Sequence, residues 1–172
     1  MYPLIKNFKN LKCGPTKAYS EMNINLNIDS NNFIITDLEQ KTKNQDFSLY
    51  IEKKLTEEFI LQIPLVSIEC KTYLDKTMLE GCINTAKRIK NGNPKSNFYI
   101  VAETLDISDD ETITADEINE IYIIRKCKRR EKENISFEVI NNLYERIKTD
   151  LFNLKSNIKP SDQIRKTGTI KK

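Results

Sequence analysis

At 172 residues the chain is long enough for one domain with a core that needs no disulfide or metal staple. Charged residues make up 31% and apolar ones 38%, with a net charge of only +3, which fits a folded protein with a heavily charged surface and excludes a disordered one. There is no histidine, so serine and cysteine triads and histidine acid–base chemistry are excluded as well, and with no C-x-x-C spacing among the cysteines a zinc site of the usual types is not expected.

The four cysteines (Cys13, Cys70, Cys82, Cys127) have no paired spacing, and the expectation is reduced thiols in a cytoplasmic protein. The apolar run at the N-terminus is too short for a signal peptide, and no segment has the length of a membrane span. Positive charge is concentrated in two places, Arg125-Lys-Cys-Lys-Arg-Arg130 and the stretch from Lys159 to Lys172. Such patches suit a polyanion, although solvated lysines on a surface explain either one alone.

In chain order, Gly14-Pro15 breaks a basic opening, and Pro15 is expected to start a short helix over Thr16 to Met22, with Glu21 near its end. Asn23 to Ile28 alternates polar and apolar residues, as a strand with one buried face does. Asp29 to Asn32 reads as a turn, Phe33 to Thr36 as a short strand ending at Asp37, and Leu38 to Gln45 as a loop. Asp46 to Lys53 alternates again, and after a turn near Glu57 and Glu58 comes a strand from Ile60 to Lys71. A turn at that point makes opposed residues sum to about 115, so Asp46 faces Glu69 or Cys70 across the pair. Glu69 and Lys71 are two apart and share one side of their strand, at the end of an apolar run. Desolvating that pair is costly without a ligand, and a metal ion with a phosphate is the ligand it suits.

Asp75 is expected to cap a helix carrying Met78, Gly81, Cys82, Ala86 and Ile89 at helical spacing, ended by Asn91-Gly-Asn-Pro94. Asn97 to Ala102 reads as an interior strand parallel to its predecessor. An acidic loop (Asp106 to Asp116), a strand (Glu117 to Lys126), a charged turn and an amphipathic helix (Phe137 to Lys155) follow. The expected fold is α/β, a mixed central sheet flanked by helices, with one domain over residues 1–156 and a flexible basic tail over 157–172.

Asp46 followed by Glu69-Cys70-Lys71, in this order of elements, resembles the PD-(D/E)XK nuclease superfamily and its αβββαβ core. More narrowly, Ser67-Ile-Glu-Cys-Lys-Thr-Tyr-Leu-Asp-Lys-Thr-Met-Leu-Glu-Gly81 is similar to a stretch of the Bpu-type type II restriction endonucleases, which cut CCTNAGC-like sites. Gln45-Asp-Phe47 and Phe98-Tyr-Ile-Val101 resemble that group too, and the likeness covers about residues 45 to 105. Gln45 stands where the motif's name has proline, which leaves Asp37 as a rival for the metal-binding acid.

The resemblance implies a Mg²⁺-dependent nuclease acting on double-stranded DNA. Asp46, Glu69 and the Cys70 carbonyl would be its hard oxygen ligands, and Lys71 would orient water and stabilise developing charge. Glu21 would add a metal contact from the first helix. Lys76, Arg125, Lys126, Lys128, Arg129 and Arg130 are the candidate DNA-binding cations, and cutting both strands implies a homodimer or a pair of related subunits. Two other readings stay open: a nuclease of repair or mobile-element type, and a DNA-binding subunit without activity.

Overall fold

The computed structural model describes residues 6, 8, 10–29, 32–54, 57, 60–110 and 113–155. Five strands form one mixed sheet whose spatial order follows the sequence: β1 (Lys12–Asp29), β2 (Asn32–Lys54), β3 (Ile60–Leu74), β4 (Asn97–Leu105) and β5 (Glu120–Ile123). β1, β2 and β3 are antiparallel neighbours, whereas β3, β4 and β5 run parallel. Helix α1 (Lys76–Gly92) connects β3 to β4, and α2 (Phe137–Lys155) follows β5. The mixed α/β sheet flanked by helices is the fold expected from the sequence.

β4 shows why its run of apolar residues is continuous. Phe98, Ile100 and Ala102 pack with Leu79, Cys82, Ala86 and Ile89 of α1, while Tyr99 packs with Ile147 and Leu151 of α2. Successive side chains of a strand point to opposite faces, and here a helix covers each face. α1 starts as its sequence demands: Asp75 is the N-cap, and its Oδ1 accepts from the Met78 N–H at 2.7 Å. Among the described residues no helix is long and apolar enough to cross a membrane.

Two local expectations fail at the N-terminal end. Thr16 to Met22 is not helical but lies within β1, and Leu38 to Gln45 is not a loop but the middle of β2. Glu21 therefore stands on a strand, opposite Lys41. Pro15 does not open a helix; it sits where the ladder breaks. The register passes from Gly14 opposite Ser48 to Thr16 opposite Gln45, so Pro15 alone faces Asp46 and Phe47. Proline has no N–H to give a ladder, and a bulge is where a strand tolerates it. Gly14 precedes it with φ +143°, a conformation that side-chain-bearing residues rarely adopt. β5 is shorter than the Glu117 to Lys126 span expected for it, and the expected tail over 157–172 lies outside the described residues.

Gly14→Ala is expected to destabilise the fold by about 1–3 kcal/mol through backbone strain. No atom lies within 4 Å of the added methyl position, so a clash has no part in it. Urea denaturation checks this, and an unchanged midpoint would mean that the kink before Pro15 is not fixed.

Candidate active site

The β2–β3 hairpin runs with Phe47 opposite Ile68, Ser48 opposite Ser67 and Leu49 opposite Val66. Those pairs all sum to 115, the register that the turn position implied. One step beyond the last rung, Asp46 comes to the Glu69-Cys70 peptide. Its Oδ2 accepts a hydrogen bond from the Cys70 N–H at 2.9 Å. Across β3, Lys71 Nζ donates to Glu69 Oε1 at 2.8 Å, with the lysine side chain 27% and the glutamate 15% exposed. Three of the residues expected at the site, Asp46, Glu69 and Lys71, are thus brought to one end of the hairpin.

The electrostatics follow from that proximity. Desolvation pulls the Lys71 ammonium toward deprotonation, but the hydrogen bond and charge of Glu69 outweigh it, helped by Cys82 and Asp46, and its pKa ends above 10.5. Cys82, on the buried face of α1, is pushed up to about 11, first by burial and then by the charge of Glu69. The Cys70 thiol is also raised, by desolvation and then by Asp46 and Glu69. Neither thiol is inclined to ionise here, so the carboxylates and the ammonium are the charged groups of the candidate site.

Among the described residues no cluster of three or more Asp, Glu, Cys or His side chains converges. What comes together is smaller: the carboxylates of Asp46 and Glu69, with the Cys70 peptide beside them. Asp46 Oδ1 and Glu69 Oε2 accept no hydrogen bond among the described residues. Two carboxylates with open oxygens fit a hard cation such as Mg²⁺, which commonly keeps several waters and takes one or two carboxylates. Asp37 is on β2 opposite Asn25, and at the ~3.3 Å rise of a strand it lies far along the ribbon from Asp46. Glu21 is likewise further out on β1, and the side chains of both lie outside the described residues.

The site also has a polar floor that the sequence reading missed. Thr16 Oγ1 donates to Ser48 Oγ at 3.1 Å, and Ser48 opposes Ser67 across the hairpin. Ser67 is two residues from Glu69 and shares its face. Gln45, 2% exposed, donates through Nε2 to the Asn44 carbonyl at 2.9 Å. Its Oε1 and the Ser67 Oγ are both buried without a partner. A serine inside the apolar run of β3 and a glutamine before Asp46 were the visible signals.

The expected DNA-binding cations are largely engaged within the chain. Arg125 Nε donates to Glu103 at 3.0 Å, Arg129 Nη1 to Asp106 at 2.9 Å, and Lys128 pairs with Asp109 at 2.7 Å. Lys126 pairs with Glu138. Lys76 is the first residue of α1, and Arg130 is exposed on the turn before α2.

A family model describing the Bpu10I restriction endonuclease matches residues 1–151. Among solved structures, a chain of the native BbvCI A2B2 tetramer aligns with a TM-score of 0.68 and 25% identity, over 85% of this chain and 61% of that one. This chain thus spans less than two thirds of that relative's length. No curated protein matches the sequence.

Removing the Asp46 carboxylate leaves the Cys70 N–H without its acceptor. Asp46→Ala is expected to cost about 0.5–1.5 kcal/mol in urea denaturation, and Asp46→Asn, which keeps an acceptor oxygen, distinctly less. Ser67→Ala removes an unpaired buried hydroxyl and should leave the protein at least as stable as wild type. Equal losses in the two Asp46 variants would show that the hydrogen bond contributes nothing.

Proposed function

Because the chain belongs to the Bpu10I restriction endonuclease family, we propose that it is a Mg²⁺-dependent endonuclease that hydrolyses phosphodiester bonds of double-stranded DNA, as a type II restriction enzyme or one subunit of such an enzyme. The observation that carries this reading is the meeting of Asp46, Glu69 and Lys71 at one end of the β2–β3 hairpin. In this reading the site is of the PD-(D/E)XK type, and it needs no histidine.

Asp46, Glu69 and the Cys70 carbonyl would hold the ion. When bound, Mg²⁺ supplies a Lewis acid for the phosphoryl oxygen and makes attacking water more acidic. Lys71 does the rest from the protein's side. Its ammonium stays protonated through neutral pH, so it can orient the attacking water by hydrogen bonding and offset the negative charge growing on the phosphoryl oxygens. Glu69 keeps that ammonium in place before substrate arrives, at 2.8 Å. Asp46 is held beside Glu69 by the hydrogen bond from the Cys70 N–H. Ser67, on the face of β3 that carries Glu69 and Lys71, is fully buried.

The assembly we propose joins this chain to related subunits, either a second copy or a different one. Support comes from the solved relative described as an A2B2 tetramer and from the need for two active sites to cut two strands. All four cysteines are free, which suits a protein working in the reducing cytoplasm beside its DNA substrate.

Incubating plasmid and phage DNA with the purified protein, in Mg²⁺ and in EDTA, tests the reading. Discrete fragments that require Mg²⁺ are expected, and Lys71→Ala should lower the rate by about 10²-fold or more while DNA binding persists. The Lys71–Glu69 pair has its own pH signature. Because the folded pKa is raised, its stabilising effect is full below about 10.5 and is lost as pH rises through the folded value. Alkaline denaturation of wild type against Lys71→Met reads this difference. DNA left intact by the wild-type chain, with binding unaffected by Lys71→Ala, would sink catalysis by this chain alone.

A further inference from the structure

We infer that the cleft at the C-terminal ends of β3 and β4 reads base edges of double-stranded DNA and does not seat phosphates. The inference rests on the nuclease reading above and deepens it. The cleft has a volume of about 600 Å³ and begins at Thr72, the residue after Lys71 on β3. Its far wall is the segment from Arg125 to Asn134, which follows β5. Ligands of open α/β sheets gather at the carboxyl ends of parallel strands, and this cleft occupies that place.

Its charge decides between the two kinds of DNA contact. Arg125, Arg129 and Lys132 line it together with Glu103, Glu131 and Glu133, three cations against three carboxylates. A seat for phosphates gains its affinity from uncompensated positive charge. A surface that reads bases needs donors and acceptors side by side, because guanine offers two acceptors, adenine one of each and cytosine a donor. This lining has the second character. Asn134 adds a side chain that both donates and accepts.

The two arginines are also held in fixed orientations before any DNA arrives. Arg125 donates through Nε to Glu103 Oε2 at 3.0 Å and through Nη1 to the Glu133 carbonyl at 2.7 Å. Arg129 lies 3.6 Å above the ring of Tyr73 and donates through Nη1 to Asp106 Oδ2 at 2.9 Å. A guanidinium has five donors, so each keeps several for a ligand. Bidentate reading of a guanine demands a planar group whose angle is set.

The test selects duplexes from a pool with a randomised core, using the full chain in a Lys71→Ala background so that bound DNA is not cleaved. Arg129→Gln and Asn134→Ala are compared with that parent, and melting curves confirm that each is folded. Asn134 is exposed and its side chain makes no hydrogen bond among the described residues, so its removal spares the fold. The expected result is a parent with a defined preferred sequence, and variants that each lose about five- to one-hundredfold preference at one base position. The dependence of affinity on salt should stay the same in both variants. A uniform loss of affinity with a salt slope shallower by about one would overturn the inference in favour of a phosphate contact. Unchanged preferences in both variants, or a parent with no preference, would overturn it too. The nuclease reading fails separately, by absence of Mg²⁺-dependent cleavage in the chain that retains Lys71.

Discussion

The hydrogen bond from the Cys70 N–H to Asp46 Oδ2 is the contact on which the site depends. It lies just past the last rung of the β2–β3 ladder, where a backbone carbonyl no longer supplies an acceptor. A side-chain oxygen takes that role, so one bond both finishes the hairpin and brings an acid to the Glu69-Cys70-Lys71 strand end. On the other edge of β2, Pro15 interrupts the β1 ladder opposite Asp46 and Phe47. The strand is thus released from regular pairing on both sides at Asp46, and it is there that its side chain does something other than pack.

Much of the arrangement was legible because it rests on local patterns. Alternation along β2 and β3, with a turn between them, was enough to set the register and to bring Asp46 opposite Glu69 or Cys70. Asp75 as a cap and the two-sided burial of β4 were legible for the same reason. In the N-terminal third the strands over Asn23 to Ile28 and Phe33 to Thr36 were legible too, whereas Thr16 to Met22 and Leu38 to Gln45 were not. Pro15 carries two meanings, helix start and ladder break, and the choice between them is made by β2, which is distant in sequence. Lys41, Thr42 and Asn44 looked like a loop because they are polar. A strand pairs through its main chain, however, and in a ribbon with solvent on its outer side polar residues serve as well as apolar ones. Gln45, Thr16 and Ser67 became part of the site only when three strands were laid side by side.

The basic run from Arg125 to Arg130 shows a different limit. Counting charge along the chain gives a strongly positive patch, and the fold then sets Glu103, Asp106, Asp109 and Glu138 against it. Those acids come from β4, the loop after it and the first turn of α2, none of them adjacent in sequence. What remains is a surface of oriented groups more than a reservoir of positive potential. For a polyanionic ligand, long-range attraction is weakened by this and discrimination at contact is favoured.

That the strands lie in space in the order in which they occur in the chain has a consequence for how the molecule is made. No later strand must be inserted between two earlier ones, so each is added to an edge that already exists. Once synthesis has passed Leu74, the meander of β1 to β3 can close through hairpins alone, and the acids and lysine are in position. Until β4 arrives through α1, the apolar outer edge of β3 is open to any other strand. The chain therefore assembles its candidate active site before its cleft, and the interval between them is when a nascent copy is most exposed to pairing with a neighbour.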